Sequence, residues 1–168
     1  MFTLKPLSKD AIPGAIEKAM RYRLLNEPRQ AESICRDILD TDPGNQEALI
    51  TLILALTDQF EYGKFAATPT QTRQYLPRLT DEYDKAYYAG MICERQAKAA
   101  LRRQTPHSGF IAYDLFVEAM NWYEKAEKNH PNKNEDAILR WNTCARMIML
   151  YKLHAKPTDE SVEPFLDM

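Results

Sequence analysis

Glycine is scarce in this chain, with five in 168 residues. Loops that cradle phosphate need several closely spaced glycines, so they have little material to be built from. Cysteine is equally sparse. Cys35, Cys93 and Cys144 lie far apart and are odd in number, which is no disulfide framework. Each falls inside a helical pattern, so the three read as buried free thiols in a reducing compartment. No sign of charge prevails: a net −2 gives no reason to expect a nucleic-acid or membrane surface. The longest apolar run, LITLILAL at 49–56, holds eight residues with a threonine inside. A membrane span needs roughly 20. The opening MFTLKPLSKDAIPGAIEKAM shows no long apolar stretch before a small-residue cleavage site, so no secretory leader is expected. These features together predict a cytoplasmic protein.

Motifs of catalysis and metal binding are missing as well. There is no H-E-x-x-H, no Cys-x-x-Cys, no Walker loop and no G-x-S-x-G. The fragment EKNH, Glu127 to His130, is half of the helical Glu-x-x-His arrangement of di-iron carboxylate bundles. Such a site needs a second copy and two more inward glutamates, and no second copy exists. His130 therefore reads as a helix-terminal histidine near the negative end of the dipole. No catalytic residue, metal or cofactor is expected, and the chain reads as not an enzyme.

What is present is helix. Apolar residues make up 45% and charged residues 27%, the balance of one ordinary globular domain. A first helix is predicted over 11–25, with Asp10 as its cap and Pro13 tolerated in the first turn. The turn Asn26-Glu27-Pro28 leads to a second helix, 28–40, whose face includes Ala31, Ile34, Cys35, Ile38 and Leu39. So short a turn makes the pair an antiparallel hairpin. TDPGN then stops the chain, because Pro43 disfavours a helical Asp42 and Gly44 gives turn freedom. Asn45 caps a third helix, about 46–60, apolar on most sides and so expected between neighbours. Its partner, interrupted by Pro69 and Pro77, offers only short helical pieces. Longer helices are predicted over 80–103, 109–129 (capped by Ser108) and 135–154. On them, Glu124 and Lys128 make an i, i+4 pair on a solvated face, and FIAYDLFVEAMNWY reads as core at helical spacing.

The helix before TDPGN has a counterpart near residue 130. Ala31, Cys35, Ile38 and Pro43 are spaced four, three and five, and so are Ala119, Tyr123, Ala126 and Pro131. The four-three step is one helical face. A small alanine lets a neighbouring helix come close, and the proline ends the helix at a fixed distance. Tyr22 precedes Ala31 by nine residues, with Ala19 three before it. This pattern resembles the tetratricopeptide repeat, a 34-residue helix hairpin with an aromatic on its first helix and a closing proline on its second. Residues 12–45 fit one repeat, 46–79 a degenerate second and 83–131 a stretched third, with 134–154 as a capping helix. In the third, Ala86, Ala89, Gly90 and Cys93 occupy the first-helix packing positions. The family's first-helix tryptophan is absent; Ala15, Leu49 and Ala86 stand in its place.

The resemblance implies an all-α, right-handed superhelical array of about seven helices in one domain, 1–155. It implies a concave groove lined by the first helices that binds a peptide or helix of another protein. Carried over by position, the lining is Ile16, Met20 and Leu24; Ile50, Leu54 and Asp58; Tyr87, Met91 and Arg95; Ile138, Asn142 and Arg146. Each set repeats every four residues and forms one stripe. The stripe is apolar at first and ends in Arg95, Asn142 and Arg146, groups suited to a peptide backbone or a carboxylate. An acidic partner segment anchored by Tyr87 and Met91 is therefore expected. Lys98, Arg102 and Arg103 read first as a wet helix end where positive charge is favoured, though they could touch such a partner.

The segment 156–168 differs from the body. It carries one lysine and four acids, whereas residues 1–155 carry 21 basic and 20 acidic side chains. It is expected to be a loose acidic tail, with Val162, Phe165 and Leu166 as anchors that could dock in the groove of the same or a second copy. A self-associating homodimer closed by the degenerate second repeat is the alternative to an adaptor. A small helical enzyme is a third reading, disfavoured by the missing paired motifs.

Overall fold

The computed structural model describes residues 1–63, 66–129 and 134–158. Among them the chain forms seven α-helices and no strand. These are α1 (Ile12–Leu24), α2 (Pro28–Thr41), α3 (Gln46–Thr57), α4 (Pro69–Arg73), α5 (Glu82–Arg103), α6 (Ser108–Lys128) and α7 (Asp136–Leu150). Helices adjacent in sequence pack together, α1 on α2, α2 on α3, α5 on α6 and α6 on α7. In addition α1 touches α3, and α3 touches α5. No helix among the described residues is long and apolar enough to cross a membrane.

The turns explain the hairpins. Asn26 takes a left-handed conformation (φ 59°), and Glu27 N–H bonds the Tyr22 carbonyl at 2.9 Å while Asn26 N–H bonds that of Arg23 at 3.0 Å. This pair of bonds satisfies the orphan carbonyls at the end of α1 and folds the chain back. Pro28 then opens α2, where its missing N–H is no loss. Asn45 caps α3 through its side-chain oxygen, which accepts from Ala48 N–H at 3.0 Å. The prolines of the weak second hairpin have defined places: Pro69 opens α4 behind a Thr68–Gln71 capping box, and Pro77 sits in the 3-10 turn Leu76–Arg78.

Several expected boundaries differ. Asp10 does not cap α1. It lies inside a 3-10 turn, Lys9–Ala11, so its backbone is not the extended one a cap requires, and Ala11 holds that position without a side-chain bond. Ser108 is the first residue of α6 rather than its cap; its hydroxyl instead accepts from Thr105 N–H at 2.9 Å and ties the preceding loop. α3 stops at Thr57, short of 60. α7 stops at Leu150 because Lys152 is left-handed (φ 51°) and Leu153 N–H returns to the Ile148 carbonyl at 2.9 Å. Pro131 and His130 lie outside the described residues, as do 159–168.

Two clusters of buried side chains make the core, and α5 contributes to both. Leu49, Leu52, Ile53 and Leu56 of α3 are buried with Ala31, Cys35 and Ile38 of α2, and Ile92 of α5 joins them. Thus α3 lies between neighbours, as its all-round apolarity predicts. Ala86, Cys93 and Ala97 of α5 pack with Ala112, Phe116, Ala119, Tyr123 and Ala126 of α6, and with Ala137 and Cys144 of α7. Gly90 lets the two long helices approach: a β-carbon there would stand 2.7 Å from Tyr123 Cε1 and 3.1 Å from the Ala119 carbonyl oxygen.

All three thiols are free and buried. Burial pushes Cys35 and Cys144 up to about 12, and Cys93 to about 11, from an ordinary 9.0. Burial likewise raises Tyr83 to about 12. The folded chain therefore keeps these protons at pH values where the unfolded chain releases them. Stability is full below pH 9 and falls as pH rises through 9 to 12, by about 1.4 kcal/mol per unit for each group that has ionised in the unfolded chain only. Urea unfolding at pH 8 and pH 10.5 checks this, and a midpoint unchanged at pH 10.5 would refute it.

Candidate functional site

Three helices bring charge together on one face. Asp58 follows α3 as its C-terminal cap. One of its carboxylate oxygens accepts from Arg23 Nε of α1 at 2.7 Å, the other from Arg95 Nη1 of α5 at 3.1 Å. One acid thus links α1, the end of α3 and α5. Around it lies a hollow of about 350 Å³, lined by Arg23, Leu24, Asn26, Thr57, Asp58, Glu61, Tyr62, Arg95, Lys98 and Arg102. Arg102 is further paired with Glu61. Four cations and two carboxylates line the hollow, which leaves a surplus of positive charge. Apolar surface accompanies it: Leu24 is 89% exposed and Tyr62 53%. A second hollow shares Glu61, Tyr62 and Arg102 with the first and adds Phe60, Ala99 and Arg103.

A completely buried carboxylate lies behind this surface. Glu94 of α5 accepts from the Tyr123 hydroxyl at 2.7 Å, from Lys98 Nζ at 2.5 Å and from Arg140 Nη1 of α7 at 3.2 Å. Three helices therefore meet on one acid, both of whose oxygens accept. Tyr123, itself buried, is pushed far up by its desolvation and by the Glu94 charge beside it. This arrangement is structural: the tyrosine has no exposed edge from which to act on a ligand.

The sequence-predicted groove residues are only partly brought together. Asp58 and Arg95 are in contact, and Leu24 stands at the same hollow. Met20 is exposed one turn before Leu24. Ile16 is buried, and Ile50 and Leu54 are half-buried. Met91 is 3% exposed, so it has no surface to offer as an anchor. Tyr87 is half-buried in an aromatic group, stacked on Tyr83 at 5.6 Å and edge-on to Tyr88 at 5.1 Å. Asn142 is half-buried and Arg146 exposed on α7, and neither lines the hollow. Arg23 and Tyr62 were not legible as site residues. Arg23 sits one residue before Leu24, off the stripe, and Tyr62 follows the end of α3.

Among the described residues, no three His, Cys, Asp or Glu side chains come together as metal ligands. What the face can do chemically is pair with carboxylates and cover apolar side chains. Compared with protein-family models, with curated proteins and with solved structures, the chain gives no significant match.

Proposed function

We propose that this chain is a non-enzymatic protein–protein interaction module, a tetratricopeptide-like array of helix hairpins that takes an acidic peptide or helix of a partner protein. The observation that carries this reading is the cationic hollow: Arg23, Arg95, Lys98 and Arg102 converge from two helices around Asp58 at the end of a third, beside exposed Leu24 and Tyr62. Of the residues that suggest the repeat, Ala19, Ala31, Cys35, Ile38, Ala119, Tyr123 and Ala126 are completely buried, which supports the resemblance, while Tyr22 is half-buried and Pro43 exposed. Contacts of α1 with α3 and of α3 with α5 agree with first helices standing side by side.

A fluorescence-anisotropy titration tests it. A labelled peptide alternating acidic and apolar residues is expected to bind, and a peptide with lysine at each acidic position to fail. Binding weakens as salt rises, because the ions screen exposed charge. The pair Arg95→Gln and Arg102→Gln lowers affinity about tenfold, the size expected from two partly exposed ionic contacts. Equal binding of both peptides would sink the acidic-ligand reading.

Self-association is a second reading, favoured by α7. Leu139, Met149, Leu150 and Tyr151 are all exposed near or on this helix. Met149, Leu150 and Tyr151 are consecutive at the end of α7, and clustered exposed apolar side chains mark interaction sites. If a dimer forms there, light scattering gives twice the 19.5 kDa of one chain, and Leu139→Glu with Leu150→Glu restores a single chain's mass. A mass of 19.5 kDa across the concentration range removes this reading.

A further inference from the structure

We propose that the acidic segment 157–168 of this same chain occupies the cationic hollow in cis, so that a partner must displace it; this rests on the acidic-ligand function above. Three observations lead there. The first is where the chain goes after α7. Lys152 turns it back, Leu153 Cδ2 comes within 3.8 Å of where a Gly109 β-carbon would stand, and His154 meets Phe110 edge-on at 5.4 Å. The backbone therefore passes the start of α6, which a short loop joins to the end of α5. The last turns of α5 carry Lys98 and Arg102.

The second is reach. Arg95 lies eight residues before the end of α5, about 12 Å along the axis. An extended chain covers about 3.3 Å per residue, so a dozen residues past Ala155 span about 40 Å.

The third is chemistry. Asp159, Glu160, Glu163 and Asp167 are interleaved with Val162, Phe165 and Leu166. The hollow offers surplus positive charge beside Leu24 and Tyr62. Another hollow, beside α2, sets Arg36 and Arg78 against Asp37 and Asp40 and has no surplus to offer. A tethered segment competes at a millimolar effective concentration, so even weak docking shields the hollow.

A spin label at Ser161→Cys in the full chain tests the proposal. The native thiols are buried and resist labelling, so the label goes to the introduced position. The expected result is broadening of the amide signals of Tyr62, Arg95, Lys98 and Arg102, fading in 1 M salt, where the Debye length is about 3 Å. Broadening confined to His107–Phe110, beside the chain's exit, would overturn it. So would broadening seen only between labelled and unlabelled copies, which would assign the segment to a second chain.

A synthetic peptide of residues 157–168 gives the second arm. It is expected to bind the full chain carrying Asp159→Asn, Glu160→Gln, Glu163→Gln and Asp167→Asn about tenfold more tightly than the unchanged chain. Equal binding to both overturns docking in cis and leaves the acidic-ligand function standing. Binding to neither overturns both.

Discussion

Gly90→Ala is expected to cost about 2 kcal/mol of stability, although alanine is the better helix former by about 1 kcal/mol. The added β-carbon would stand 2.7 Å from Tyr123 Cε1 and 2.9 Å from Cδ1. The ring has nowhere to go. It is completely buried, its hydroxyl is held by Glu94 at 2.7 Å, and Tyr87 lies against it at 5.7 Å. Relief would need α5 and α6 to move apart, which opens space along the rest of their contact. The control is Gly14→Ala in α1, where a β-carbon meets nothing within 4 Å. That change is expected to stabilise by about 0.5 kcal/mol. Urea unfolding of the two variants should therefore shift in opposite directions. A Gly90→Ala protein as stable as the unchanged chain would mean that the two helices do not approach so closely.

Removing the carboxylate at the junction of α5, α6 and α7 has the largest predicted effect. Glu94→Ala is expected to cost about 3 kcal/mol. It orphans the buried Tyr123 hydroxyl and leaves Lys98 and Arg140 facing each other across an emptied site. Both cations are partly exposed and recover some hydration, which keeps the figure at the lower end for a broken buried pair. Glu94→Gln retains an acceptor for the tyrosine and should cost less than alanine. Tyr123→Phe should cost about 1 kcal/mol alone, and less when Glu94 is already glutamine, because the two share one bond. A Glu94→Ala change under about 1 kcal/mol would show that the network is not what joins α7 to the hairpin.

Much of the helical order was legible because its signals are local. Pro28, Pro43 with Gly44, and Asn45 act on their own backbone, and the structure places the helix ends beside them. The alternation of apolar residues at three and four gave the buried faces of α2 and α6 for the same reason. Caps failed where two neighbouring residues competed. Asp10 is a good cap by type, yet a 3-10 turn consumed its backbone; Ser108 found a partner in Thr105 instead.

The site was harder, because its contacts join residues far apart in sequence. Arg23 and Asp58 are 35 positions apart, and Asp58 and Arg95 are 37 apart. Glu94 was not legible either, because its partners Tyr123 and Arg140 lie 29 and 46 positions away. A signal did exist: Gly90, Cys93 and Ala97 share its side of α5, so a charge on that small-residue face had to be paired. Met91 was placed in the groove by position in the resembled repeat. Residues 89–94, at the middle of α5, are buried on every side, whereas Tyr87 and Arg95 toward the two ends of the same stripe keep partial exposure.

On the proposed function, recognition occurs on the face where α1, α3 and α5 meet. The measurement that tests it most directly is a backbone amide shift titration with the acidic–apolar peptide, using the chain whose own acidic segment is neutralised. Shifts are expected to concentrate at Arg23, Asp58, Tyr62, Arg95 and Arg102. Shifts along the outer faces of α2 and α6, with those five unmoved, would contradict it.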